Sequence, residues 1–184
     1  MNQKKRKLLA VILVLAAGFA AGAAAPEVFR MGTGSYAGFF SLYSFGKYEV
    51  TEVSPLALLP SILSVRLKTL LFLWMSSYTA AGLLFHLTYG GWLAASAGML
   101  LALFALRDGT YGVVLFACCL FPQWIVYGEV CRREMHFLFS RPVTAVSRRE
   151  LAALAQMVGL AVLGCACEAF LGTWTLKIFL QLFT

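Results

Sequence analysis

Uncharged apolar residues run in long stretches, separated by short polar segments. Residues 1–7 (MNQKKRK) are polar and basic, and residues 8–25 (LLAVILVLAAGFAAGAAA) carry no charge. These 18 residues make roughly 27 Å of helix, enough to span a bilayer core. Four more apolar stretches predict spans over residues 69–88, 92–106, 110–128 and 151–180. The last is long enough to tilt or to emerge from the bilayer. Tyr89-Gly90-Gly91 and Arg107-Asp108-Gly109 read as the tight turns between them. Residues 26–68 are mixed. They carry Glu27, Arg30, Lys47, Glu49 and Glu52 among aromatics such as Phe39, Phe40, Tyr43, Phe45 and Tyr48, which suits a segment lying against the interface. Within it, Ser54-Pro55 is a helix start, with Ser as cap and Pro in the first turn. The apolar stretch from Pro55 to Val65, disturbed at Pro60, is too short to span and reads as an interfacial helix. Residues 129–150 read as a basic loop.

The expected fold is therefore all-α: one membrane domain, a transmembrane helix bundle of about five spans with an interfacial helix between spans 1 and 2. Composition agrees. The chain is 61% hydrophobic and 12% charged, against about half and a quarter in soluble domains. A water-soluble fold of 184 residues could not hide so much apolar surface. A cleaved signal peptide would share the basic-then-apolar start. The run is longer than a usual signal core, however, and Pro26 follows its last Ala, so residues 1–25 read as a retained anchor.

The formal charge of +7 would raise nucleic acid as a partner in a soluble protein. Here the basic residues flank apolar runs: Lys4, Lys5, Arg6 and Lys7 at one place, and Arg132, Arg133, Arg141, Arg148 and Arg149 at another. Five spans put both clusters on one side of the membrane. The positive-inside rule makes that side cytoplasmic and places the C-terminus outside. Topology explains the charge without a polynucleotide.

Glu168 interrupts the last span, and ionisable groups within spans face the bundle interior or water. Counted from Leu151 it lies in the outer half, where Arg107, Arg66 or Lys68 could pair with it. An ion pair locking helices is the first reading; a proton or ion relay is the sharper one, and an interfacial carboxylate that simply reaches water is the third. Pro122 breaks the fourth span and frees a backbone carbonyl. Gln123 beside it needs a polar partner, for which Gln156 lies at a compatible depth. A hydrogen-bonded kink is the plain reading, and a substrate path lined by the kink is the other. Tyr127 and Glu129 end that span as interfacial anchors would. His86 reads as a buried or interfacial histidine.

Gly18 and Gly22 form a GxxxG pair, and Ala94 and Gly98 share a face, so close helix contact is expected at both. Five cysteines, four of them inside apolar runs, read as packing residues; Cys131 with His136 is two ligands and no zinc site. No catalytic triad, HExxH motif, phosphate loop or paired carboxylates occur. No enzyme activity, cofactor or metal is expected.

Several of these stretches resemble the stage II sporulation protein M family. They are Ile62-Leu63-Ser64-Val65-Arg66-Leu67-Lys68 before an apolar span, Tyr89-Gly90-Gly91 with Ser96 and Gly98, and Leu120 to Tyr127. The last resembles the family's Pro-polar-Gly signature with an acidic residue downstream, with Gln123 and Trp124 standing where the family has His-Gly. Glu168-Ala169-Phe170 with Trp174, Leu176 and Lys177 resembles the acidic position near the end of the family's last helix. The resemblance covers roughly residues 8 to 180, carried by order and spacing. It implies a polytopic protein of about five spans. It also implies a scaffold without catalysis of its own, which holds two peptidoglycan-degrading proteins at the septal membrane during forespore engulfment. The expected partners are the lipid bilayer, such cell-wall hydrolases and a second copy of the chain. The outward segment 26–68 is the expected docking surface. A small transporter or ion-conducting protein, using Glu168, Gln123 and the Pro122 kink, is the alternative.

Overall fold

The computed structural model describes residues 3–29, 54–121, 123–140, 148–172 and 174. Every element among them is helical: α1 (Gln3–Val28), α2 (Pro55–Ser76), α3 (Gly82–Asp108), α4 (Thr110–Leu120), α5 (Gln123–Ser140), α6 (Arg148–Ala166) and a π-helical turn (Cys167–Gly172) that continues α6. Four stretches are long and apolar enough to cross a membrane: Leu8–Val28, Pro55–Ser76, Gly82–Leu106 and Glu150–Gly172. Thr110–Cys118 with Gln123–Phe139 makes a fifth if the pair is one broken span. At most 28% of each of the four stretches is buried within the protein, so their apolar surface remains to be covered by lipid.

The chain forms two compact units, Met1–Ser54 with Tyr89–Phe116 and Pro55–Thr88 with Ala117–Thr184. In the first, α1 and α3 meet backbone to backbone through small residues. A Cβ on Gly18 would lie 2.7 Å from the Gly91 carbonyl oxygen, and one on Gly22 or Gly98 would overlap the carbonyl of Ala95 or Phe19. Gly90 and Gly91 face Leu15 and Val14 of α1. This corrects the expected turn at Tyr89-Gly90-Gly91: the two glycines lie inside α3. They are small because α1 lies against them, and the helix runs through. Phe104 packs on Phe116, ring centres 6.3 Å apart. The turn at Arg107-Asp108-Gly109 is present; α3 ends at Asp108 and Gly109 takes a left-handed conformation (φ 62°) that closes it.

In the second unit α2 begins at Pro55, after Ser54, and continues through Pro60 to Ser76. The short interfacial helix expected over Pro55–Val65 and the separate span over 69–88 are thus replaced by one helix, Pro55–Ser76, and a break over 77–81. The break has a local cause. The hydroxyls of Ser76 and Ser77 both donate to the Leu73 carbonyl (2.7 and 3.0 Å), and Thr79 donates to Ser76 (2.7 Å). The Leu73 carbonyl keeps its helical bond from the Ser77 N–H (3.0 Å), but the Ser76 carbonyl is taken by both the N–H (2.9 Å) and the hydroxyl of Thr79, three residues on, in place of a helical donor four residues on. Gly82 then starts α3 so close to α2 that a Cβ would lie 2.6 Å from the Ser76 carbonyl oxygen.

The core of this unit is Leu70 and Trp74 of α2, Val130 of α5, and Met157 and Ala161 of α6. Trp74 stacks on Phe137 (6.2 Å) and meets Tyr78 edge-on (4.9 Å). The expected loop over 129–150 is helical as far as Ser140, because Glu129 bonds Arg132 and Arg133 three and four residues on, at helical spacing. Residues 141–147 lie outside the described residues, as do 30–53 of the expected docking segment, Pro122, Thr173 and 175–180 of the expected last span, and 181–184 after it.

The glycine contacts separate two substitutions of the same kind. Gly22→Ala should lower stability by about 1–3 kcal/mol, since the new methyl meets Ala95 backbone. Gly159→Ala, with open space around it, should be neutral or gain up to about 1 kcal/mol. Denaturant titration in detergent micelles reads both; equal effects would contradict the packing described.

Candidate functional site

Halfway along the 22-residue α2 stands Arg66, which with Lys68 supplies the charge of that helix. Its Nη2 donates to Glu168 Oε1 at 3.1 Å and Oε2 at 3.3 Å. Tyr127 of α5 donates its hydroxyl to the same Oε2 at 2.8 Å. The Arg66 guanidinium carbon also lies 5.1 Å from the centre of the Tyr127 ring, within cation–π range. One carboxylate, one guanidinium and one phenol thus close a triangle between α2, α5 and the π turn after α6.

Local structure prepares each member. Glu168 is the second residue of the π turn, where one extra residue per turn re-aims side chains. Gly164 makes room for the phenol: a Cβ there would lie 2.8 Å from the Tyr127 ring. Cys165, fully buried one turn before Ala169, lies 3.5 Å from the Tyr127 hydroxyl. The side chains of Arg66 and Glu168 keep 36% and 24% of their surface, so the pair is half-buried. At 3.1 Å the gross Coulomb attraction is roughly 5 kcal/mol at an effective dielectric constant near 20. Desolvation of each ion costs several kcal/mol, so the pair adds little net stability and acts chiefly on specificity.

Of the three cations expected beside Glu168, the structure pairs it with Arg66. Lys68 is exposed, and the Arg107 side chain lies outside the described residues. Tyr127 was expected as an interfacial anchor; its hydrogen bond to Glu168 instead places it at the depth of Arg66. Gln156 was expected opposite Gln123. It accepts from Arg133 Nη1 (3.0 Å), ten residues and about 15 Å further along α5 than Gln123. Glu129 holds Arg132 and Arg133 on its own helix. His86 is buried and donates through Nδ1 to the Gly82 carbonyl (2.8 Å). Gly90 and Gly98 serve helix contact and stand apart from this cluster in sequence and role.

With this geometry in view, comparison with family models, curated proteins and solved structures finds no match for the chain. Both Glu168 oxygens accept protein donors, so a cation or solute that reaches the carboxylate competes there with Arg66 and Tyr127. Among the described residues no group of three or more His, Cys, Asp or Glu side chains is placed to hold a metal ion. Of the cysteines, Cys118, Cys131, Cys165 and Cys167 are free thiols.

Sequence reading missed Gly164, and it missed the bond from Tyr127 to Glu168. A signal for the first existed: Gly164 lies four residues before Glu168, on the same side of the helix.

Glu168→Gln keeps the shape and leaves Arg66 without its counter-charge. It should cost about 2 kcal/mol in a denaturant titration in micelles, and Tyr127→Phe about 1 kcal/mol. Lys68→Gln, on an exposed position, should stay within about 0.5 kcal/mol of the parent chain. A Glu168→Gln protein as stable as the parent would show that the triangle ties nothing together.

Proposed function

We propose that the chain is a non-catalytic integral membrane scaffold, with its N-terminus in the cytoplasm and its C-terminus outside. The observation that supports this best is the closed triangle of Arg66, Glu168 and Tyr127. Arg66 and Glu168, each within an apolar helix, bind one another and Tyr127, which fixes α2, α5 and α6 in register. Orientation rests on charge. With five crossings, the basic N-terminal cluster and the arginines of residues 132–149 share the cytoplasmic side. The turn over 77–81 is then cytoplasmic, and the Gly109 turn and the sequence between α1 and α2 face outward.

The resemblance to stage II sporulation protein M supplies the partner class. Peptidoglycan-degrading proteins at the septal membrane would dock on the glycine- and aromatic-rich sequence between α1 and α2, whose composition suits an interface. A second reading, a small transporter or ion conductor, is favoured by the interruption of the helix between Leu120 and Gln123 and by the π turn that carries Glu168.

Deletion of residues 30–50 should abolish co-purification of a membrane-associated peptidoglycan hydrolase while the chain still inserts. Vesicles holding the parent chain should pass no more solute than empty ones. Partner capture that survives the deletion would overturn the docking claim. Flux abolished by Glu168→Gln would replace the scaffold with the transporter.

A further inference from the structure

Two titratable side chains of the second unit are buried with a polar atom that makes no hydrogen bond: Glu134 Oε1 of α5 and His86 Nε2 of α3. Glu134 keeps 5% of its surface and His86 4%, so water does not serve either of them freely. Neither takes part in the Arg66–Glu168–Tyr127 triangle.

The helix directions bring the two to one level. The Arg66 guanidinium lies over Tyr127 and, further along both helices, Trp74 stacks on Phe137, so α2 and α5 run parallel. The helix α3 runs antiparallel to both. Its Gly82 end lies against Ser76, and Phe85 reaches back to Phe72, ring centres 5.6 Å apart. A Cβ on Gly82 would also lie 3.3 Å from Leu138 Cδ1 of α5. From that contact, four residues forward along α3 lead to His86, and four residues back along α5 lead to Glu134. Four residues rise about 6 Å and make just over one turn, so both side chains return to the side where α3 and α5 meet. The apolar stretches agree. His86 lies four residues inside the start of Gly82–Leu106, and Glu134 five residues inside the end of Gln123–Phe139.

Hydrogen-bond chemistry then limits what the pair can hold. His86 Nδ1 donates to the Gly82 carbonyl (2.8 Å), so Nε2 of the neutral ring offers a lone pair. An ionised Glu134 would set a second acceptor and a buried charge against it. No cation answers that charge among the described residues: Arg132 and Arg133 turn to Glu129, and Arg66 turns to Glu168. The other titratable side chains nearby are Cys131, three residues back on α5, and Tyr78, against Phe137; α6 brings the apolar Met157 and Ala161. The buried indole N–H of Trp74 can only donate, so it cannot take a proton from the acid. One proton on the carboxyl removes the buried charge and turns Glu134 into the donor that Nε2 lacks. A proton on His86 instead would leave two buried charges whose desolvation their attraction does not repay.

We propose that Glu134 and His86 form one proton-binding site between α3 and α5, with a single proton kept on the Glu134 carboxyl and donated to His86 Nε2. The two atoms stand beyond direct hydrogen-bond reach, so a turn of the Glu134 side chain or one bridging water joins them. The site stands whether or not the chain is a scaffold.

Infrared difference spectroscopy of the full chain in phosphatidylcholine vesicles at pH 7 tests this. The parent chain should show a carboxylic acid carbonyl band that Glu134→Gln loses. His86→Phe should keep the band and move it to higher frequency, because the acid has lost its acceptor. If His86→Phe loses helical signal, nitrogen-15 NMR serves instead. The chain has two histidines, so His136→Gln leaves His86 as the single imidazole. Adding Glu134→Leu should then shift the Nε2 resonance while the ring stays neutral. A parent chain without the band at pH 7 would overturn the proposal, since Glu134 would be ionised. So would a band that His86→Phe leaves in place, or an Nε2 resonance that Glu134→Leu leaves unmoved.

Discussion

A half-buried charge in the middle of an apolar helix needs a counter-charge from the same protein, and Arg66 finds its own in Glu168. Much of the second unit follows from that requirement. Arg66 lies far from either end of α2, where a snorkelling side chain could reach water. Its counter-charge comes from the far end of α6, so α2 and α6 must pack side by side. Tyr127 then has a fixed place, because Glu168 Oε2 accepts its hydroxyl while its ring lies against the guanidinium. The same packing carries the core, in which Leu70 and Trp74, one and two turns beyond Arg66, meet Val130, Met157 and Ala161.

The gross attraction and the desolvation cost are of similar size, so the triangle adds less to stability than to uniqueness. A purely apolar seam between α2 and α6 could slide by a turn at little cost, since Leu, Val and Met contacts are interchangeable. A slip of one turn, about 5.4 Å, would leave a guanidinium and a carboxylate unpaired in an apolar setting. The first unit solves its registration problem by other means. There Gly18, Gly22, Gly91 and Gly98 let backbones touch, and any other register would bring larger residues into the seam.

The helical class was legible because apolar runs of span length have few alternatives. Ser54-Pro55 and Asp108-Gly109 marked two boundaries by their own chemistry. Glu168 stood out as costly in its place, and Arg66 was among its three expected partners. The boundaries that misled did so for physical reasons. Gly90-Gly91 carries the letters of a turn, yet the same lack of a side chain serves close packing, and only α1 on the other side distinguishes the two uses. Met75-Ser76-Ser77-Tyr78-Thr79 looks like continuing span, yet Thr79 takes the Ser76 carbonyl at the end of α2 with both its N–H and its hydroxyl. The charges after Tyr127 suggested a loop. Their spacing, Glu129 with Arg132 and Arg133, is that of a helix surface and could have been read so. Tyr127 itself was placed by where a tyrosine usually sits, and no local signal reveals a partner 41 residues away.

The account stands or falls on whether Arg66 and Glu168 act as one unit. A double-mutant cycle with Arg66→Met, Glu168→Met and both together, unfolded in detergent micelles, measures that directly. Each single change strands a charge and should destabilise, whereas the double change should recover most of the loss, with a coupling energy of about 1.5 kcal/mol or more. Single effects that add without recovery would contradict it, and the triangle would then be a contact without consequence.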